Sequence, residues 1–198
     1  MTTTTSSTRT RKPSRSGRGR RGKKSTDAAP RTAYLGLGSN VGDRRLQIER
    51  AVAELSRVAR VRRVSSFYST EPVGFREQRR FWNAAAEIRW DGSPEELLAA
   101  VKDIERRLGR TPTFENGPRE IDIDILDLGG IARSSPDPVL PHPRLAGRRF
   151  ALIPLAEIAP SWRHPVSGLS ARRLAARLPR KPSVRRVPRT VLPGERSD

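Results

Sequence analysis

Between Ile121 and Leu126 apolar and acidic residues alternate, with Ile121, Ile123 and Ile125 on one face of an extended segment and Asp122 and Asp124 on the other. A period of two is the mark of a half-buried β-strand. Aspartate disfavours strands and like charges on one face repel, so the pair calls for a reason. Two carboxylates at i and i+2 lie roughly 6–7 Å apart at Cα, a spacing that suits hard divalent cations held against phosphates. The alternative is a solvated outer face. The lead-in Gly117-Pro118-Arg119 favours the functional reading, because it puts a fixed cation at the mouth of the same strand.

Composition locates the part that can fold. Residues 1–30 contain no Leu, Ile, Val or aromatic side chain, and nine Lys and Arg stand there against Asp27 alone. Such a segment cannot bury a core and is expected to be disordered. From Pro179 onward six basic residues face Glu195 and Asp198. These two ends carry most of the net charge of +19, so the middle is less basic than a pI of 11.7 suggests. The division is therefore a disordered basic extension at 1–30, a domain at 31–178, and a basic, Pro-containing tail at 179–198. The N-terminal arm can bind polyanions nonspecifically, with strong salt dependence. It is Arg- and Ser/Thr-rich like a transit peptide, but lacks the apolar face of a presequence. There is no secretory apolar stretch and no run long enough to span a membrane. With no cysteine, the chain fits a cytoplasmic protein.

Along the middle, Ala33 to Leu37 reads as a buried strand, and turn-formers from Gly38 to Asp43 lead into a helix over 44–58. Leu46, Ile48, Val52, Leu55 and Val58 give that helix an apolar face. Strands follow at 61–68 and 81–90, joined by a loop over 69–80. Ser93, Pro94 and Glu96 form a capping box with proline at the first helical position, and the helix runs until Gly109. A flexible segment, 110–118, precedes the aspartate strand, and short helices are expected at 150–158 and 170–178. The expected class is α+β: a ferredoxin-like, largely antiparallel sheet flanked by helices in αβα layers, with disordered basic tails at both ends.

No G-x-x-x-x-G-K-[ST] loop or G-x-G-x-x-G fingerprint is present, and Gly36-Leu37-Gly38 is only a fragment of the latter. Six ordered blocks carry a resemblance instead. They are Gly38-Ser39-Asn40, Ser66 to Pro72, Phe81 to Ala85, Ile104 to Arg110, Gly117 to Leu126, and Leu140-Pro141-His142-Pro143 through Arg148-Arg149-Phe150. Together these resemble hydroxymethyldihydropterin pyrophosphokinase, over about 150 residues that exclude both tails.

The resemblance implies pyrophosphoryl transfer from ATP to the hydroxymethyl oxygen of a reduced pterin, releasing AMP, in folate biosynthesis. It implies that Asp122 and Asp124 hold two magnesium ions, and that Arg110 and Arg119 neutralise phosphate charge. By the same likeness Asn83 hydrogen-bonds the pterin, Phe81 and Phe150 sandwich it, and Thr70 and Pro72 offer main-chain contacts. Glu105, Arg119, His142 and Arg148 take the ATP side. Phe81 and Phe150 as core residues, Glu105 as a solvated helix acid and the arginines as surface residues are the competing readings. The chain departs from the family in its lid. Glu115-Asn116 replaces an Arg-Trp pair, Pro112 stands where some members have arginine, and Pro143 where some have tyrosine. The expected state is a monomer binding small molecules and no membrane. Two rivals remain: a nucleic-acid-binding protein working through its basic arms, and a metal-dependent kinase or nucleotidyltransferase acting on another small molecule. An RNA-recognition strand motif is absent, which counts against the first.

Overall fold

A computed structural model describes residues 1–2 and 29–188, so the basic extension expected at 1–30 falls almost wholly outside the described residues. Six strands and four α-helices follow in the order β1 (Arg31–Ser39), α1 (Arg44–Val58), β2 (Arg60–Val64), β3 (Tyr68–Thr70), β4 (Phe81–Trp90), α2 (Pro94–Arg107), β5 (Asp122–Leu128), α3 (Arg149–Ile158), α4 (Ala171–Arg177) and β6 (Val184–Arg186). The sheet order is β5-β1-β4-β3-β6, with β2 also on β4, and every pairing is antiparallel.

Local chemistry accounts for the helix starts. Asp43 caps α1 by accepting from Leu46 N–H at 3.1 Å. Ser93 and Glu96 exchange side-chain and backbone bonds at the start of α2, at 3.1 and 2.7 Å. Gly109, at φ +85°, ends that helix in the left-handed region that a side chain would resist. The buried face of α1 is narrower than the sequence suggested. Ile48, Ala51 and Leu55 are buried while Leu46 and Val58 face solvent, since one stripe suffices to cover the sheet.

The sheet is covered on both sides. On one face Leu35, Leu37, Ala86, Ile88, Ile121, Ile123 and Ile125 pack with Ile48, Leu55, Leu97, Val101 and Ile104 from α1 and α2. On the other, Ala85 and Leu126 pack with Leu152, Leu155, Leu174 and Ala175 from α3 and α4. The strands are therefore largely apolar on both faces, with the α3–α4 layer stopping short of Asp122 and Asp124 and with Asp127 buried against Trp162.

Two expectations need correction. The single strand at 61–68 is two. The register of β2 on β4 shifts between Val61 and Arg63, and Ser65 Oγ takes the N–H of Ala85 at 2.9 Å, which breaks the run. The C-terminal tail does not begin at 179 as a disordered segment. Residues through 188 are described, and β6 pairs with β3 along Thr70↔Val184 and Tyr68↔Arg186. Val184 supplies a half-buried apolar contact, Ser183 donates to Glu71, and Arg186 pairs with Glu157, contacts that composition alone hides.

Candidate active site

Strand register assembles the site. Across the cleft face, Gly38 of β1 pairs with Asn83 of β4 on one side and Asp122 of β5 on the other. One step along, Gly36 lies between Ala85 and Asp124. Two strand spacings put Asn83 and Asp122 about 10 Å apart at Cα, with only glycine between them. A Cβ on Gly38 would sit 3.0 Å from Asn83 Oδ1, and one on Gly36 would sit 3.3 Å from Leu126. The glycines thus keep a floor clear between an amide and two carboxylates. Above that floor lies a cleft of about 610 Å³, lined also by Thr70, Phe81, Arg119, Arg148 and Phe150.

The heterocycle end is built from β3, β4 and α3. Asn83 is 6% exposed and donates through Nδ2 to Thr70 Oγ1 at 2.8 Å, which fixes the amide and leaves Oδ1 over Gly38. Phe81 and Phe150 are half-buried and line the cleft, so neither is a plain core residue. Thr70 lines it too; Pro72 does not, although Glu71 and Val73 on either side of it do.

The acidic end is rich in cations. Arg110 and Arg119 reach Asp122 Oδ1 and Oδ2 through Nη1, both at 2.7 Å, and Arg148 Nη1 reaches Asp124 Oδ2 at 2.7 Å. Arg148 also lies 5.5 Å from the Phe150 ring centroid, joining the two ends of the cleft. His142 is poised beside it. Arg144 N–H donates to His142 Nδ1 at 3.1 Å, and the ring's Nε2 lies 3.3 Å from Arg148 Nη1 and 3.9 Å from Asp124 Oδ1. Burial pushes the His142 imidazole below its usual range, so it is neutral at pH 7. Arg110, Arg119 and Arg148, with Arg144 also lining the cleft, stand against Asp122, Asp124 and the Glu105 that pairs with Arg110, which leaves this end net positive, the field a polyphosphate requires. Arg119 Nε is buried and makes no hydrogen bond among the described residues.

Glu105 is placed differently from the sequence expectation. It is 2% exposed, not a solvated acid, and it does not line the cleft. Its carboxylate accepts from Ile123 N–H at 2.7 Å, from Lys102 Nζ at 2.9 Å and from Arg110. It therefore anchors β5 between the two aspartates. Helical spacing could not show this, because Glu105 sits beside the apolar stripe of α2 rather than on it.

Sequence reasoning assigned no role to Asn40 or Gln78. Asn40 is 2% exposed; its Oδ1 accepts from Arg119 N–H at 2.8 Å, and its Nδ2 donates to Gln78 Oε1 at 2.7 Å. Gln78 Nε2 in turn donates to the carbonyl of Asn116 at 2.8 Å. Phe75 meets Phe114 edge-on, with centroids 5.2 Å apart. The loop after β3 and the loop before β5 are thus joined at the rim of the cleft. Asn40 stood within a recognisable block, which was the available signal; Gln78 had none.

Comparison with known proteins agrees with this geometry. The family model described as 7,8-dihydro-6-hydroxymethylpterin-pyrophosphokinase (HPPK) matches residues 34–160. The 2-amino-4-hydroxy-6-hydroxymethyldihydropteridine pyrophosphokinase of Bacillus subtilis is 45% identical over 128 residues, covering 64% of this chain and 77% of that protein. The protein of the same name from Aquifex aeolicus is 40% identical over 135 residues, covering 68% and 84%. A folic acid synthesis protein of Dictyostelium discoideum is 36% identical over 163 residues, 82% of this chain, which spans only 25% of that longer protein. The crystal structure of wild-type Plasmodium falciparum HPPK-DHPS with pteroate shares the fold, with a TM-score of 0.57 at 13% identity over 74% of this chain and 44% of that one. The family match covers more than half the residues and includes both aspartates, so the chain belongs to the 7,8-dihydro-6-hydroxymethylpterin-pyrophosphokinase family.

Proposed function

We propose that this chain transfers a pyrophosphoryl group from ATP to the hydroxymethyl oxygen of 6-hydroxymethyl-7,8-dihydropterin, with magnesium, releasing AMP. One observation carries the reading: Asn83, Gly38 and Asp122 share a row of the sheet, so an amide suited to a heterocycle edge faces two carboxylates across an open floor.

The donor set fits magnesium. Asp122 and Asp124 are hard oxygen ligands opening on the cleft, and no cluster of three or more His, Cys, Asp or Glu competes with them among the described residues. Magnesium is commonly held by one or two carboxylates, with the rest of its shell from phosphates and water. When bound, it supplies charge neutralisation and alignment of the transferred phosphorus.

The chain's own groups supply the remainder. Phe81 and Phe150 stack on a flat heterocycle, Asn83 fixes its edge, and Thr70 fixes Asn83. Arg110, Arg119 and Arg148 hold the carboxylates here, and turn to phosphate oxygens when nucleotide arrives. His142 stands with Nε2 between Arg148 and Asp124, on the side where a phosphate oxygen is bound.

A monomer acting in the cytoplasm, and a basic arm that binds polyanions without aiding turnover, belong to the same proposal. Among the described residues no helix is long and apolar enough to cross a membrane.

The test is Asp122→Ala and Asp124→Ala, followed by AMP release with Mg-ATP and the reduced pterin. Each variant should keep its circular dichroism spectrum and lose about a thousandfold in turnover, since a metal contributes several kcal/mol to the transition state. Turnover near the wild-type rate in either variant removes the assignment.

A further inference from the structure

The cleft is not closed by the part of the chain that the family match covers. That match ends at residue 160, yet Leu178, Pro179, Lys181, Pro182 and Val184 all line the cavity. The segment is fixed at both ends to residues of the heterocycle end. Arg149 Nη1 donates to the carbonyls of Ala175 and Leu178, at 3.1 and 3.2 Å, which places the end of α4 beside Phe150. At the other end, Val184 pairs with Thr70, the partner of Asn83.

The second attachment is the more specific. Glu71 accepts from Ser183 Oγ at 2.7 Å, from Ser183 N–H at 3.2 Å and from Arg80 Nη1 at 3.2 Å. Arg80 closes the triangle by donating to Ser183 Oγ at 2.9 Å. β6 is only a three-residue edge strand, and its other attachments, Val187 N–H to the Phe67 carbonyl at 2.8 Å and Arg186 to Ser66 Oγ at 2.6 Å, lie at its far end from the cleft wall.

Resting on the functional reading above, we propose that residues 178–184 form the outer wall of the heterocycle subsite, and that the Glu71–Ser183 contact sets how tightly that heterocycle is held. Leu178 and Val184 offer apolar surface to the ring, and Glu71 and Ser183 act as positioning residues. The nucleotide end, formed by Arg110, Arg119 and Arg148, lies on other elements and does not depend on this wall.

The test titrates a reduced hydroxymethylpterin into full-length enzyme saturated with magnesium and a non-hydrolysable ATP analogue. Ser183→Ala should raise the pterin dissociation constant about fivefold or more, the effect of one to two lost hydrogen bonds. Nucleotide affinity should stay within about twofold, and Ser183→Thr, which restores the hydroxyl, should recover pterin affinity. Val184→Ala, which leaves the contact intact, should also weaken the pterin. Unchanged pterin affinity in both Ala variants overturns the proposal, as does equal weakening of pterin and nucleotide. Wild-type enzyme that binds no pterin at all would instead overturn the functional reading.

Discussion

Replacing Glu105 separates two roles that a carboxylate at this position can have. In Glu105→Ala the N–H of Ile123, on a residue 1% exposed, loses its acceptor. An orphaned buried donor costs about 1–3 kcal/mol. Lys102 is half in solvent, so its lost pair adds little. Arg110 keeps Asp122 as a partner but loses its second anchor, for about 1 kcal/mol more. The sum is about 2–4 kcal/mol, a large share of a typical domain's stability. Glu105→Gln retains an oxygen for Ile123 and Arg110 and turns its amide toward Lys102, so it should cost only about 1 kcal/mol. Denaturant unfolding measures both losses, and steady-state kinetics follow the consequence for Asp122. The Ala variant should lose kcat as β5 loosens, with the KM for ATP little changed. A stability loss below about 1 kcal/mol together with a tenfold rise in the KM for ATP would refute the anchoring role and make Glu105 a nucleotide contact.

Two further predictions follow from the same geometry. Gly38→Ala places a methyl group 3.0 Å from Asn83 Oδ1, which pushes the amide off Thr70; pterin affinity should fall about tenfold while the nucleotide analogue binds as before, by calorimetry. Glu71 is held down to about 2 from the ordinary 4.5, first by the Ser183 hydroxyl and then by Ser183 N–H and Arg80. Its folded-state pKa is depressed, so its stability contribution is present above 4.5 and lost as pH falls towards 2. Glu71→Gln should therefore unfold with a flatter acid limb in that window; an identical limb would show that the contact does not persist in solution.

The elements that the sequence revealed are those whose signals are local. The capping box at Ser93 and Glu96, the glycine stop at 109 and the alternation from Ile121 each depend on residues within one turn or strand, and each stands in the structure as read. What escaped was pairwise. The row of Asp122, Gly38 and Asn83 exists only once β1 lies between β4 and β5, so the glycines read as a broken nucleotide fingerprint instead of a cleared floor. Glu105 looked exposed because one helix gives no account of the strand packed against it. The C-terminal segment looked like a tail because its Ser183 finds Glu71, and its Arg186 finds Glu157, only after β3 and α3 are in place. Most of the predicted site residues line the cleft, since each block carried its own chemistry; Arg110 and His142 lie outside its lining but reach its carboxylates, while Pro72 and Glu105 do neither.

The most direct test of the central claim is the identity and ratio of products formed by the wild-type enzyme from Mg-ATP and 6-hydroxymethyl-7,8-dihydropterin. Phosphorus NMR should show AMP and a pterin diphosphate appearing one for one, with neither formed when magnesium is chelated. ADP or free pyrophosphate as the main product, or AMP released at the same rate without the pterin, would contradict transfer across the floor between Asn83 and Asp122.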